Sequence, residues 1–144
     1  MEANQLASRI SWMIVASKEK MKFLNQEMKN VFSNIYLKND KLLNKSQYHL
    51  NISKTLLAQV EKDYVAFIKT GVSNVALLMR IKNTYLQRCF FQLSMGYDCY
   101  KENMFKVENA SLALAKSLLN KWCQTITLLN NLIKEIDFLI TKYK

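Results

Sequence analysis

Residues 112–143 decide the fold of this chain, and they read LALAKSLLNKWCQTITLLNNLIKEIDFLITKY. Apolar side chains recur here at alternating spacings of three and four, which keeps them on one side of an α-helix. At about 1.5 Å per residue, this helix would be roughly 48 Å long. A helix of this length with one continuous apolar stripe predicts packing against several other helices. The stripe comprises Leu112, Ala115, Leu119, Trp122, Ile126, Leu129, Ile133, Ile136, Ile140 and Tyr143.

The residues beside the stripe indicate how wide the apolar surface is. If Leu112 is heptad position a, the g positions include Leu118, Leu132 and Leu139. A two-stranded coiled coil places charged residues at g, so this apolar face is wider than a coiled-coil seam. It favours burial among two or more neighbouring helices. Two interpretations stay open: the stripe is the core of a bundle within this chain, or part of the helix extends beyond its neighbours and contacts another subunit.

Composition favours helices joined by short loops. Half of the 144 residues are hydrophobic, which excludes wholesale disorder. There is no proline, and the only glycines are Gly71 and Gly96, whereas sheets need turns rich in these residues. We predict an all-α fold, an elongated bundle of about five helices with a long C-terminal helix. Residues 1–144 are expected to form a single helical domain.

Helical periodicity divides the chain into five predicted segments. They cover residues 3–17, residues 18–43, a third segment capped by Ser46, residues 74–100, and a terminal segment capped by Asn109. Near Ser17 the pattern allows either a kink or no break. Gly71 is expected to end the third helix, and Ser73 to cap the fourth. Residues 44–47, 70–73 and 101–109 are the predicted hinges.

The formal net charge of +10 is spread evenly along the chain. Eighteen of the 21 basic residues are lysine, whereas phosphate recognition tends to recruit arginine. Three interpretations stay open: the lysine and asparagine codon bias of an AT-rich genome, an acidic protein partner, and weak non-specific nucleic-acid contact. Codon bias is the favoured interpretation.

No segment has the pattern of a membrane span or a signal peptide. The apolar run at residues 10–16 is much shorter than the roughly 20 residues that cross a bilayer. Charged residues follow the run directly, at 18–20, where a signal peptide would have a small-residue cleavage site. We expect an intracellular protein with no membrane partner.

Catalytic and metal-binding patterns are missing from the sequence. His49 is the only histidine and lies in a polar stretch, which predicts a surface loop residue. Cys89, Cys99 and Cys123 form no C-x-x-C pair, which predicts thiols in the core rather than a metal site. The two glycines cannot build a phosphate-binding loop. We therefore predict a protein that is not an enzyme and uses no cofactor or metal. A pocket that gathered His49 with a cysteine or carboxylates would favour an enzyme instead.

Aromatic and basic residues crowd the fourth predicted helix. Because aromatic residues and arginine are enriched at interface hot spots, a subunit interface is favoured over stacking on single-stranded bases. A helix that is simply buried on most sides explains the pattern at least as well as either of these. We also expect the far part of the terminal helix to contact a partner. The predicted partner-binding residues are Arg80, Lys82, Tyr85, Arg88, Phe91, Trp122, Ile133, Ile136 and Ile140.

Three blocks of the chain resemble the first Psf subunit of the GINS complex, in the order in which that family carries them. The central block resembles the family's hallmark segment, an apolar run followed by a basic cluster and then a leucine-rich and aromatic helix. Arg80, Lys82 and Leu86 fall on hallmark positions. The blocks are ALLMRIKN at 76–83 followed by Leu86, QEMKNV at 26–31 followed by YLK at 36–38, and LLNKWC at 118–123 with IT at 126–127.

The resemblance implies a scaffolding role in a four-subunit helical assembly that helps to activate the replicative DNA helicase in the nucleus. It implies no catalytic residue, and other helical subunits as partners. Where the family carries a small β-rich domain after the bundle, we expect this chain to continue as helix. Two alternatives stay open: a helical adaptor of a tethering, kinetochore or organelle-positioning complex, and a basic bundle that binds nucleic acid.

Overall fold

The computed structural model describes residues 3–33, 41–70, 74–103 and 112–143. These residues are almost entirely helical and include no strand. Helix α1 spans Ala3–Ser33, α2 spans Lys41–Lys69 and α4 spans Leu112–Tyr143. Helix α3, residues 75–103, has three continuous parts: Val75–Arg80 is α-helical, Ile81–Leu86 is π-helical and Gln87–Asn103 is α-helical again. The predicted all-α bundle with a long C-terminal helix is confirmed, with four helices in the described residues rather than about five.

The four helices form an antiparallel bundle in which each helix packs against the next and α4 returns to α1. In each neighbouring pair, early residues of one helix meet late residues of the other. This up-and-down order is the usual solution for helices joined by short connections. The marker contacts are Tyr64 to Ala7 for α1 and α2, Asp63 to Arg80 for α2 and α3, Tyr100 to Ala115 for α3 and α4, and Arg9 to Glu135 for α1 and α4.

Helix α4 is covered by this chain's own helices along nearly its whole length. Its buried residues run from Ala115 to Ile140, so the helix does not extend beyond its neighbours as one interpretation expected. The g positions Leu118, Leu132 and Leu139 are fully inside, whereas the a positions Ile126 and Ile133 are half-buried. The wide apolar face is therefore confirmed, and its deepest line runs through positions d and g rather than a and d.

Helix α1 joins the first two predicted segments without a break. Ser17 is fully buried inside it, and its hydroxyl donates to the carbonyl oxygen of Met13 at 2.8 Å. This bond satisfies the buried hydroxyl within the helix, which continues through residue 17 without a break. The helix ends at Ser33, ten residues before the predicted boundary.

Helix α2 begins at Lys41, so three predictions about this region are wrong. Ser46 does not cap the helix but is buried within it, and residues 44–47 are not a hinge. His49 is a half-buried helical residue rather than a surface loop residue. Sequence reasoning treated a polar stretch as a loop, but the buried Ser46 and Leu50 give the stretch an inward face.

The predicted extent of the fourth helix agrees with α3 to within three residues at its C-terminal end. Its cap is Asn74 rather than Ser73, because the Asn74 side-chain oxygen accepts a hydrogen bond from the Leu77 N–H at 3.0 Å. Gly96 lies inside the helix. Gly71, Ser73 and the predicted cap Asn109 lie outside the described residues.

Candidate interaction surface

A π-helical segment lies in the middle of α3, where sequence reasoning placed the partner-binding residues. The Gln87 N–H donates to the carbonyl of Lys82, five residues back, instead of four as in an α-helix. Ile81 and Leu86 of this segment are both buried in the core. A π-helical turn changes the angular position of the residues that follow it, and such turns are frequent at functional sites. The segment therefore sets which face of α3 points outward beyond Leu86.

Two ion pairs, one from Arg80 just before this segment and one from Lys82 within it, tie α3 to both of its neighbours. Arg80 Nη2 and Nε lie 3.0 and 3.2 Å from Oδ2 of Asp63 on α2. The Lys82 ammonium pairs with the Asp137 carboxylate on α4. Asp63 is only 8% exposed, so the guanidinium compensates a carboxylate that is largely withdrawn from water. Arg80 and Lys82 thus hold the bundle together, although their exposed parts stay accessible to a partner.

Beyond the π-helical segment, an outward-facing stripe of α3 carries a basic residue and two apolar ones. Arg88 and Phe91 are three positions apart, and Phe91 and Met95 four, which places them on one helical face. Phe91 is 59% exposed, and Arg88 and Met95 are also exposed. Tyr85 is half-buried and packs against the core. Of the predicted partner-binding residues on this helix, Arg80, Arg88 and Phe91 are exposed, and Arg80 is already paired with Asp63.

Helix α2 carries a matching stripe that sequence reasoning missed. Tyr48, Ile52 and Leu56 follow one another at spacings of four, and Tyr48 is 61% exposed. Together with Asn51 and Thr55 they line a surface depression of about 300 Å³. The spacing of four was visible in the sequence, within the third predicted segment.

The two stripes adjoin along the contact between α2 and α3. His49 Nδ1 lies 2.6 Å from Gln92 Oε1, and the Cys89 thiol lies 3.2 Å from the Ser53 carbonyl oxygen. This antiparallel register places Tyr48 and Ile52 at the level of residues 90–95 of α3. We name the combined patch the α2/α3 surface, and it comprises Tyr48, Ile52, Leu56, Arg88, Phe91 and Met95.

The predicted contact residues of the terminal helix belong to the core of the bundle. Trp122 is fully buried, stacks on Tyr100 with ring centroids 5.7 Å apart, and donates from Nε1 to the Leu93 carbonyl at 2.9 Å. Ile136 is fully buried and Ile140 nearly so, whereas Ile133 is half-buried against the core. These side chains are occupied by contacts within the chain, so the exposed members of the predicted partner-binding set lie on α3.

The cysteines differ in their surroundings. Cys89 is buried in the core, and burial raises the pKa of its thiol to about 12, so it stays protonated at neutral pH. Cys99 is half-buried, and burial together with nearby Glu102 raises its pKa. Cys123 is exposed, so the prediction that it is a core thiol is wrong. Within the described ranges, no group of three or more His, Cys, Asp or Glu side chains could hold a metal ion.

No protein-family model matches this chain, no curated protein matches its sequence, and no solved structure matches its fold. In the part of the chain that the structure describes, no helix is both long and apolar enough to cross a membrane.

Proposed function

We propose that this chain is a non-catalytic helical subunit of a multiprotein assembly, and that it binds another helical subunit through the α2/α3 surface. The observation that carries the proposal is the exposure of Phe91 beside Arg88 and Met95. Exposure of a large apolar side chain to water costs free energy. Binding recovers about 25 cal/mol for each Å² of apolar surface that it buries. Aromatic residues flanked by arginine are typical centres of interfaces.

The shape of the α2/α3 surface suits a helical partner. Its two stripes run along neighbouring antiparallel helices, and the level of Tyr48 corresponds to that of Met95. A partner helix lying along this pair would present apolar residues at spacings of three and four, as in other helix-in-groove complexes. Arg88 at one end would pair with an acidic side chain of the partner.

The specific form of the proposal is a GINS-type scaffold of the replicative DNA helicase, located in the nucleus. It is supported by the resemblance of residues 76–83 and Leu86 to that family's hallmark segment. Residues 76–83 belong to the part of α3 in which Arg80 and Lys82 form the two ion pairs. In this form the expected partners are the other helical subunits of a four-subunit assembly.

Affinity purification of the tagged chain from its native cells, followed by mass spectrometry, tests the proposal. The test variant is Phe91→Asp, and the matched control is Phe138→Asp. Phe138 is 52% exposed on α4, so its change introduces the same charge at a similarly exposed aromatic away from the α2/α3 surface. We expect helical proteins to co-purify with the wild type and the control and to be lost from the Phe91 variant.

The outcome separates the competing forms of the proposal. Recovery of replication-helicase subunits in equal amounts supports the GINS-type scaffold, whereas tethering or kinetochore subunits support the adaptor. Equal loss of partners in both variants would contradict the α2/α3 surface as the contact. Binding of nucleic acid that weakens steeply between two salt concentrations, with no protein partner, would contradict the whole proposal.

A further inference from the structure

A second surface feature, unconnected with the α2/α3 surface, is a groove between α1 and α2. Its volume is about 360 Å³, near the lower end of the roughly 300–1,000 Å³ that small-molecule sites occupy. Met21 and Leu57 are core residues that reach its floor, and Ala58 lies at its open side. Because Met21 and Leu57 are almost fully buried, the apolar surface open to a small ligand comes from Ala58 and from the side-chain stems that line the groove.

Three lysines form the walls of this groove: Lys18 and Lys22 on α1, and Lys54 on α2. A lysine lays its four-carbon stem along apolar surface and keeps its ammonium in water. The walls are accordingly apolar at depth and positively charged at the rim.

The charges at the rim are only partly compensated. Lys18 Nζ lies 3.1 Å from Glu61 Oε1, so this ammonium already has a partner. Within the described residues, no carboxylate lies within ion-pair distance of Lys22 or Lys54. Two ammonium groups on facing helices are therefore left to attract an anion into the groove.

We propose that the α1/α2 groove binds a small amphiphilic anion with an unbranched apolar tail and a carboxylate head, a medium-chain carboxylate. The tail would lie between the lysine stems and against Ala58, above the buried Met21 and Leu57. The carboxylate would sit at the rim between Lys22 and Lys54. An uncharged alcohol of the same length would lose the ion pairs, and a short carboxylate would lose the apolar contact.

Titration of the folded chain with decanoate, below its micelle concentration, tests the proposal. The readout is the NMR signal of the methyl groups of Met21, Leu57 and Ala58, which reports on the groove itself. We expect these signals to shift and saturate with decanoate but not with acetate or decanol. Ala58→Leu fills the open side of the groove from an exposed position, so it should abolish the shifts of Met21 and Leu57 while the circular dichroism spectrum stays helical.

Charge variants decide whether the head group is recognised locally. The double variant Lys22→Gln/Lys54→Gln should weaken decanoate binding about tenfold, the combined effect of two partly exposed ion pairs. The control Lys116→Gln/Lys134→Gln removes the same charge from exposed positions on α4 and should change binding by less than about twofold, because distant charges are screened.

Three outcomes would overturn the proposal: no methyl shifts with decanoate, equal binding of decanol, or equal weakening in the two double variants. Each is independent of whether the α2/α3 surface binds a protein, because no residue is shared between the two surfaces.

Discussion

The indole ring of Trp122 on α4 lies directly against the backbone of Gly96 on α3. A Cβ atom at residue 96 would be only 2.8 Å from Trp122 Cζ2 and 3.1 Å from the carbonyl oxygen of Ser46 on α2. Three helices therefore meet at a point where no side chain fits. A glycine inside a helix costs roughly 0.5–1 kcal/mol relative to alanine, and burial of the largest side chain in the core offsets this cost.

Replacement of Gly96 by alanine is expected to destabilise the chain, although alanine is the better helix former. The added methyl group must displace the indole or move the α2 backbone, and overpacking of this kind costs about 1–3 kcal/mol. Urea unfolding measures the change in the free energy of unfolding. Asp98→Ala, at an exposed position two residues along the same helix, should change it by less than about 0.5 kcal/mol. A Gly96→Ala variant as stable as the wild type would contradict the close approach.

Removal of Arg80 is expected to destabilise the bundle more than removal of another paired arginine. Arg80→Ala leaves the nearly buried carboxylate of Asp63 without its partner, which costs about 1–3 kcal/mol. In the control, Arg9→Ala breaks the 2.7 Å pair with Glu135, whose side chain is 20% exposed against 12% for Asp63, and should cost less than about 1 kcal/mol. The combined change Asp63→Asn with Arg80→Ala should recover part of the loss. Equal losses of stability in the two arginine variants would contradict the claim that the nearly buried carboxylate of Asp63 needs Arg80 as its partner.

Alkaline pH is expected to lower the stability of the bundle. Burial raises the pKa of Cys89 from 9.0 to about 12, and burial also raises the pKa of Tyr64 and of Tyr100. The unfolded chain therefore releases these protons at lower pH than the folded chain. The contribution of each group to the free energy of unfolding is fully present below its pKa in the unfolded chain. It is lost as the pH rises through its pKa in the folded chain.

The free energy of unfolding should accordingly fall above about pH 9, by about 1.4 kcal/mol per pH unit for each group in its window. Between pH 9 and 11, Cys89→Ala should make this decline shallower by about 1.4 kcal/mol per pH unit, which is the contribution of one proton. Because the variant also leaves a cavity, the slope rather than the absolute stability is compared. Cys123→Ala removes an exposed thiol and should keep the wild-type slope. A wild-type stability that stays flat over this range would refute the linkage.

An orphaned polar atom in α1 offers a stabilising substitution. The side-chain oxygen of Asn25 is buried and has no hydrogen-bond partner among the described residues. Because a buried unsatisfied polar group costs about 1–3 kcal/mol, Asn25→Leu should raise the free energy of unfolding by about 1 kcal/mol. The neighbouring exposed residue provides the control: Gln26→Leu should leave it nearly unchanged. Thermal unfolding of both variants measures the difference in their stability. A destabilised Asn25→Leu variant would contradict the expected cost of the unsatisfied side-chain oxygen.

The isolated chain is expected to self-associate through the α2/α3 surface when its partner is missing. Light scattering over a range of concentrations should show a mass that rises above that of the 16.9 kDa monomer. Phe91→Ser should reduce this rise, whereas Phe138→Ser, at a similarly exposed aromatic on α4, should reduce it less. A monomer that stays well behaved at every concentration would argue strongly against an unpartnered interface.

The sequence by itself determined the class of fold. The apolar spacing of residues 112–143 and the absence of proline leave helices as the one arrangement that buries the stripe. The wide apolar face, with leucine at 118, 132 and 139, also predicted burial among several neighbouring helices. This face can be recognised from the sequence because each turn of the helix repeats the same pattern. Local periodicity carries this information because it depends only on the geometry of one helix.

Helix boundaries and the identity of the exposed surface were decided by the tertiary structure. Ser17 and Ser46 have the chemistry of helix ends, yet both are buried within helices, because packing against neighbours outweighs weak local preferences.

Packing against neighbouring helices also decides which residues are exposed at the candidate site. Trp122 and Phe91 are both large aromatic residues on amphipathic helices, but the first is enclosed by α3 and the second faces outward. The spacing of residues along one helix does not determine which of its faces the other helices cover. That depends on the order of the four helices around the bundle and, at α3, on the π-helical turn that sets the direction of the residues beyond it.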